Sequence, residues 1–302
     1  MQIRKFVWLG MALAILSATA AKTDEFKEEE TFFRVNIAGH VFRLEGLLVK
    51  RADATGPLPI ALITHGKPAN SQKMLDTHPK EYLGQARDMA KRGWLAAVVI
   101  RRGFGQSDGP MPAPTSCRSK SLVEHFSADA DDLQATLDVL SQRPDADPRR
   151  VIALGVSDGG AAVLALAARN PLQLRGVVNI SGGLRFLDCP KEEELVAAFK
   201  AFGTTSRVPS LWLYANNDSY FGPDLVQRMR NAFLDGGGDA KLVMFDPIGQ
   251  DGHYLFSRRR ALQMVTGNGR FSEGPRAADV AEAGRRCLDK AAQWTGAQPS
   301  LS

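Results

Sequence analysis

Residues 32–37 and 41–50 alternate apolar with polar positions, and Ala38-Gly39-His40 joins them. A period of two on both sides of a short glycine-containing turn predicts a β-hairpin with one face buried. Beyond residue 50 the pattern changes. Residues 60–64, 94–100, 151–156, 174–180, 211–215 and 241–245 are short apolar runs with β-branched side chains, the form taken by parallel strands covered on both faces. Between them the apolar positions recur at helical spacing. Tyr82, Ala86, Met89 and Ala90 make one stripe, closed by Gly93, and Ala130, Leu133, Leu137 and Leu140 make another, stopped before Pro144. Residues 159–168 predict a small-residue helix ended by Asn170-Pro171, and Val280, Cys287, Leu288, Ala291 and Trp294 line a C-terminal helix. Strands alternating with helices predict an α/β fold: a mainly parallel central sheet with helices on both faces and an N-terminal antiparallel hairpin at one edge. Residues 184–208 are the one insertion suited to a lid, with a helix expected over 191–202.

Composition narrows the class without changing the fold. Hydrophobic residues at 44% and charged residues at 24% are ordinary for a globular chain, and 302 residues suit one large domain. The net charge of +5 is spread along the chain with no Lys/Arg block, which argues against a nucleic-acid partner. Residues 1–21 have the layout of a secretory signal peptide: Arg4 and Lys5, an apolar stretch over 6–16, then Ala18-Thr19-Ala20. That apolar stretch is about half the ~20 residues a membrane span needs. The expectation is a periplasmic or secreted protein, one domain over 22–302, with no membrane span in the mature chain.

Two segments carry the pattern G-x-S-x-G, Gly105 to Gly109 and Gly155 to Gly159. The pattern has chemical meaning only on a sharp strand-to-helix turn that lifts the hydroxyl clear of the sheet. Ser157 follows a strand and precedes a helix, with Gly155 and Gly159 as the small flanks. Ser107 runs into Pro110-Met111-Pro112-Ala113-Pro114, which cannot start a regular helix, so residues 103–109 read as a glycine-rich loop.

A serine hydroxyl is a weak nucleophile near neutral pH and needs a base, itself oriented by a third group. Among five histidines, His253 lies just beyond the last strand, and Asp218 follows the strand at 211–215, both at the sheet edge where Ser157 emerges. Asp246 and Asp251 are rival carboxylates, and Asp224 falls on the following helix. An attacked carbonyl develops negative charge that two N–H groups should meet. Asp158 N–H is one expected donor. Lys67 N–H, in His65-Gly66-Lys67-Pro68 after the strand at 60–64, is the other, because Pro68 has none. Lys67, Arg101 and Arg102 are expected to favour an anionic substrate group.

Arg102-Gly103-Phe104-Gly105, Asp147-Pro148-Arg149-Arg150-Val151 leading into Ser157, and Asp218 with His253 together resemble the dienelactone hydrolase and prolyl-oligopeptidase-like branch of the α/β-hydrolase superfamily. The resemblance spans about residues 32–294. It implies an α/β-hydrolase fold and a hydrolase that needs no cofactor or metal and works through an acyl-enzyme on an ester of a small or medium acyl group. An aminoacyl or short-peptide amidase is the enzymatic alternative, and a non-catalytic binding protein on the same fold is the other. Dienelactone hydrolases carry cysteine where this chain has Ser157, the His-Gly-Gly-Gly sequence of many esterases is absent, and there is no propeller domain.

Three cysteines would sit in an oxidising compartment. Cys117 with Cys189 is the expected pair, both in loops at one end of the sheet, and Cys287 lies in an apolar helical stripe; three reduced thiols are the alternative. A Cys117–Cys189 bridge stabilises by about 4 kcal/mol in the chain-entropy picture. Peptide mapping of the exported protein without reduction is expected to recover that linked pair, and free thiols at both positions would exclude it.

Overall fold

The computed structural model describes residues 24–68, 70–111, 121–186 and 191–256. Two long strands open the chain, β1 (Phe26–Ile37) and β2 (His40–Arg51), paired antiparallel in continuous register from Phe26 opposite Arg51 to Ile37 opposite His40. The turn between them places Ala38 and Gly39 at positive φ, 52° and 84°. Alternation stops within β2: Leu44 to Val49 are all buried, and over Gly46 to Val49 the strand pairs antiparallel with β4 inside the sheet.

The remaining strands are β3 (Leu58–Thr64), β4 (Leu95–Val99), β5 (Ala146–Val156), β6 (Leu174–Ile180), β7 (Ser210–Ala215) and β8 (Ala240–Phe245). They form one eight-stranded sheet in the order β1-β2-β4-β3-β5-β6-β7-β8, parallel from β4 through β8. The helices are α1 (Ser71–Leu75), α2 (Leu83–Lys91), α3 (Leu122–Leu140), α4 (Asp158–Ala167), α5 (Glu192–Thr205) and α6 (Pro223–Asp235). Alternate strand residues divide the core into two layers. Leu62, Ala97, Ala153, Val177 and Trp212 face α3 to α6, whereas Ile63, Val98, Leu154, Val178 and Leu213 face α2. Both layers are buried, which is why these strands read as unbroken apolar runs. The expected C-terminal helix, the signal peptide and all three cysteines lie outside the described residues.

The expected lid segment is different in its described part. Its helix, α5, buries Leu195, Ala198, Phe199 and Phe202. Phe199 meets Trp212 edge-on at 5.2 Å between ring centroids, and Phe202 meets Phe126 at 6.3 Å. This helix is the crossover between the parallel neighbours β6 and β7, a layer of the core and not a detached flap. A Phe199→Ala variant is expected to lose about 3–5 kcal/mol of unfolding free energy in urea titrations; a loss under about 1 kcal/mol would mean that α5 is not packed as described.

Candidate active site

Residue 157 stands where β5 gives way to α4, with φ 54° and ψ −123°. A serine in that region costs about 1–3 kcal/mol unless its surroundings fix it. Here they do. Ser157 N–H donates to Ile180 O (2.9 Å), and Ser157 O accepts from the N–H groups of Gly160 (2.8 Å), Ala161 (3.3 Å) and Gly183 (3.0 Å). Close approach explains the flanking glycines: a side chain at 155 would overlap the carbonyl of Gly159, and one at 159 would overlap the carbonyl of His65.

His253 lies in a short 3-10 turn, Gly252–Tyr254, in the loop after β8. Its Nδ1 lies 3.1 and 3.2 Å from the two oxygens of Asp218, and its Nε2 lies 3.2 Å from Ser157 Oγ. A proton on Nδ1 satisfies the carboxylate and leaves Nε2 free to accept the serine proton. Asp218 Oδ1 also accepts the N–H groups of Tyr220 (2.9 Å) and Phe221 (3.0 Å), which fixes the carboxylate. Tyr220 packs on the imidazole at 4.3 Å between centroids. Asp218 and His253 are each 6% exposed, and Ser157 is half-buried, so the serine end of the arrangement is the accessible one.

The rival carboxylates do other work. Asp251 Oδ1 accepts from His253 N–H (2.9 Å) and Ser219 N–H (3.0 Å), while its Oδ2 accepts from Ser219 Oγ (2.7 Å), so it ties the loop after β8 to the loop after β7. Asn217 adds to this seam, accepting from Ile248 N–H at 2.9 Å. Asp224 sits in the first turn of α6, and Asp246 is exposed. Ser107 is a structural residue. Its hydroxyl donates to Ile100 O (2.6 Å) and accepts from Glu45 N–H (2.9 Å).

On the other side of Ser157 runs the segment after β3. A Cβ at Gly66 would stand 3.7 Å from Ser157 Oγ, so this segment passes against the hydroxyl, and half-buried Lys67 follows it. His65 is fully buried and pins the turn: Nδ1–H donates to Gly66 O (2.8 Å), and Nε2 accepts from Arg101 N–H (3.0 Å). Burial, with Arg101 beside it, holds the His65 pKa well below its ordinary value, consistent with that neutral form. Asp158 N–H is the first amide of α4, where helical geometry offers no internal acceptor.

Arg101 and Arg102 do not face substrate as expected. Arg101 is fully buried, with Nη2 2.8 Å from Asp158 Oδ2, and Arg102 donates from Nε to Asp132 Oδ1 at 2.5 Å. Sequence reasoning missed this buried set of charges, which also contains His125 and Asp129. One trace of it exists in the chain: His125, Asp129, Asp132 and Thr136 recur at helical spacing beside the apolar stripe of α3, and all four are buried.

Comparison with known proteins fits this architecture. The serine aminopeptidase, S33 family matches residues 75–220, a span that contains Ser157 and Asp218 and ends before His253. The chain is 32% identical over 126 residues to the "Putative esterase NocK" of Nocardia uniformis subsp. tsuyamanensis, a match covering 42% of this chain and 33% of that protein. It is 25% identical over 245 residues to a "Putative carboxymethylenebutenolidase" of Yersinia pestis, covering 77% of this chain and 84% of the other. Among solved structures, a "Putative Dienelactone Hydrolase" from Klebsiella pneumoniae superposes with a TM-score of 0.60 at 19% identity, over 90% of this chain and 99% of that one. The sheet order with its antiparallel opening and these likenesses give the chain the α/β-hydrolase fold, and it is similar to proteins described as esterases and dienelactone hydrolases.

Proposed function

We propose that this chain is a serine hydrolase that cleaves an ester of a small or medium acyl group. The observation that carries the reading is the continuous line from Asp218 through both nitrogens of His253 to Ser157 Oγ, with no link longer than 3.2 Å. Ser157 Oγ attacks the acyl carbon as His253 Nε2 takes its proton. The resulting oxyanion is met by Lys67 and Asp158 N–H groups. Collapse of the tetrahedral intermediate breaks the bond to the alcohol, which receives its proton from His253. Water, deprotonated by the same imidazole, then attacks the acyl-enzyme, and the acid leaves as Ser157 regains its proton. Asp218 stays ionised and stabilises the imidazolium. The esterase among the relatives supports the ester preference. The leader-like residues 1–21 support action in the periplasm or outside the cell.

A second reading has an observation of its own, the match to a family described as serine aminopeptidases. Amide hydrolysis uses the same groups but must protonate a poorer leaving group. On p-nitrophenyl acetate and butyrate, Ser157→Ala and His253→Ala are expected to lose about 10⁵ to 10⁶ in kcat and Asp218→Asn about 10⁴; full activity in Ser157→Ala would end the reading. Turnover of these esters is expected to exceed that of aminoacyl p-nitroanilides by at least about 100-fold, and the reverse order would assign a peptidase. A fluorophosphonate probe is expected to label the wild type at Ser157, and an unlabelled wild type would point to a binding protein.

A further inference from the structure

Directly beneath the Ser157 turn lies a group of buried charges that the reaction above does not use. Arg101 is 0% exposed, and it reaches two segments of chain at once. Its Nη1 donates to Thr64 Oγ1 (2.8 Å) and His65 O (2.7 Å), and its backbone N–H donates to His65 Nε2. Its Nη2 donates to Asp158 Oδ2 at 2.8 Å. These are the segments that carry the Lys67 and Asp158 N–H groups. On the far side of Asp158, His125 Nε2 lies 2.8 Å from Oδ1. Asp129 Oδ2 lies 3.4 Å from Arg101 Nε and 3.6 Å from His125 Nε2, and neither of its oxygens has a hydrogen-bond partner among the described residues. From the same helix Asp132 also faces inward, but it is engaged by Arg102, from its N–H at 2.8 Å and from its Nε.

The charges do not balance without one more proton. Arg101 supplies a single positive charge against Asp158 and Asp129, and a net charge in so dry a place is strongly disfavoured. Two sites can take the proton that restores neutrality, the His125 ring and the Asp129 carboxyl. Burial pushes Asp129 up to about 7 against the pull of Arg101, with the charge of Asp158 adding to the push. Burial would also raise Asp158, yet His125 and Arg101 outweigh it and hold that carboxyl below the usual range. His125, Asp129 and Asp158 approach one another closely enough to suggest a cation site, but the Arg101 guanidinium already lies against both carboxylates and supplies the positive charge.

We propose that Arg101, Asp158, Asp129 and His125 form a positioning unit for the oxyanion side of the site: Arg101 fixes the spacing of the Lys67 and Asp158 segments, and one proton held between His125 and Asp129 keeps the unit neutral. The proposal rests on the serine hydrolase reading. When the shared proton leaves, Asp129 competes with Asp158 for the guanidinium. An uncompensated negative charge then lies under the first turn of α4, where it opposes the oxyanion forming above. Activity therefore falls on the alkaline side through kcat, with KM little changed.

The test is the pH dependence of kcat and KM for p-nitrophenyl acetate in the wild type, Asp129→Asn and His125→Gln. In the wild type kcat is expected to fall at least tenfold across an alkaline limb while KM changes less than threefold. Asp129→Asn leaves Arg101 balanced by Asp158 with no shared proton to lose, so the limb should disappear. His125→Gln confines the proton to Asp129 and should move the limb to lower pH by about one unit or more. A purely structural role would lower stability without moving the two profiles in these different senses. Superimposable profiles in all folded variants, or an alkaline limb retained in Asp129→Asn, overturn the proposal, and either variant alone suffices if the other does not fold. Fluorophosphonate labelling run in parallel separates the two readings: a wild type that is not labelled at Ser157 removes the hydrolase reading and this one with it, whereas a labelled wild type with unmoved profiles removes only the positioning unit.

Discussion

A single backbone conformation organises this molecule, the left-handed turn at Ser157 between β5 and α4. It is unfavourable for a residue with a side chain, so the chain around it must supply compensating contacts. Four backbone hydrogen bonds to β6, to α4 and to Gly183 provide them. The same turn forces Gly155 and Gly159 into contact with neighbouring carbonyls, where no other residue fits. Raising one hydroxyl above the sheet therefore constrains the end of β5, the start of α4 and the segment after β3 together.

The turn is also where the chain buries charge. Asp158 points into the protein directly after an accessible serine, an arrangement that would be costly if the carboxylate were alone. Arg101 and His125 satisfy it. The guanidinium does more than neutralise, since it also bonds to Thr64 and His65 and so joins α4 to the loop after β3. A salt bridge in this position is weak evidence for stability, because desolvation offsets most of the attraction. Its contribution is geometric: one planar, pre-organised guanidinium bonds at once to α4 and to the end of β3 with the loop after it.

On the opposite side of Ser157 the site is held by hydrogen bonds from backbone and side-chain donors, with no Arg or Lys among them. Asn217 and Asp251 stitch the loop after β7 to the loop after β8, and Asp218 receives two backbone N–H groups before it meets His253. Each candidate residue thus comes from a different strand end and is locked by a neighbouring loop. This end of the sheet combines a buried charged base with a laced polar rim, and the Ser157 hydroxyl lies between them.

The sequence by itself determined the layers, the strand–helix alternation, the opening hairpin and the meeting of Ser157, His253 and Asp218 at one sheet edge. Periodicity and turn chemistry are local properties, and loops after parallel strands must gather at the same end. Tertiary structure decided what depends on partners far away in the chain. Arg101, expected to favour an anionic substrate group, is fully buried, and the burial of His125 and Asp129 on α3 depends on the segments packed against that helix. Residues 184–208 read as a lid because they are the one insertion between strands suited to one, and the sequence carries no mark of what covers the apolar face of α5. Trp212 and Phe126, from distant segments, show that this face belongs to the core. Whether a charge is exposed or buried, and whether a helix is a flap or a layer, is set by packing between elements, and no window of sequence contains both sides of such a contact.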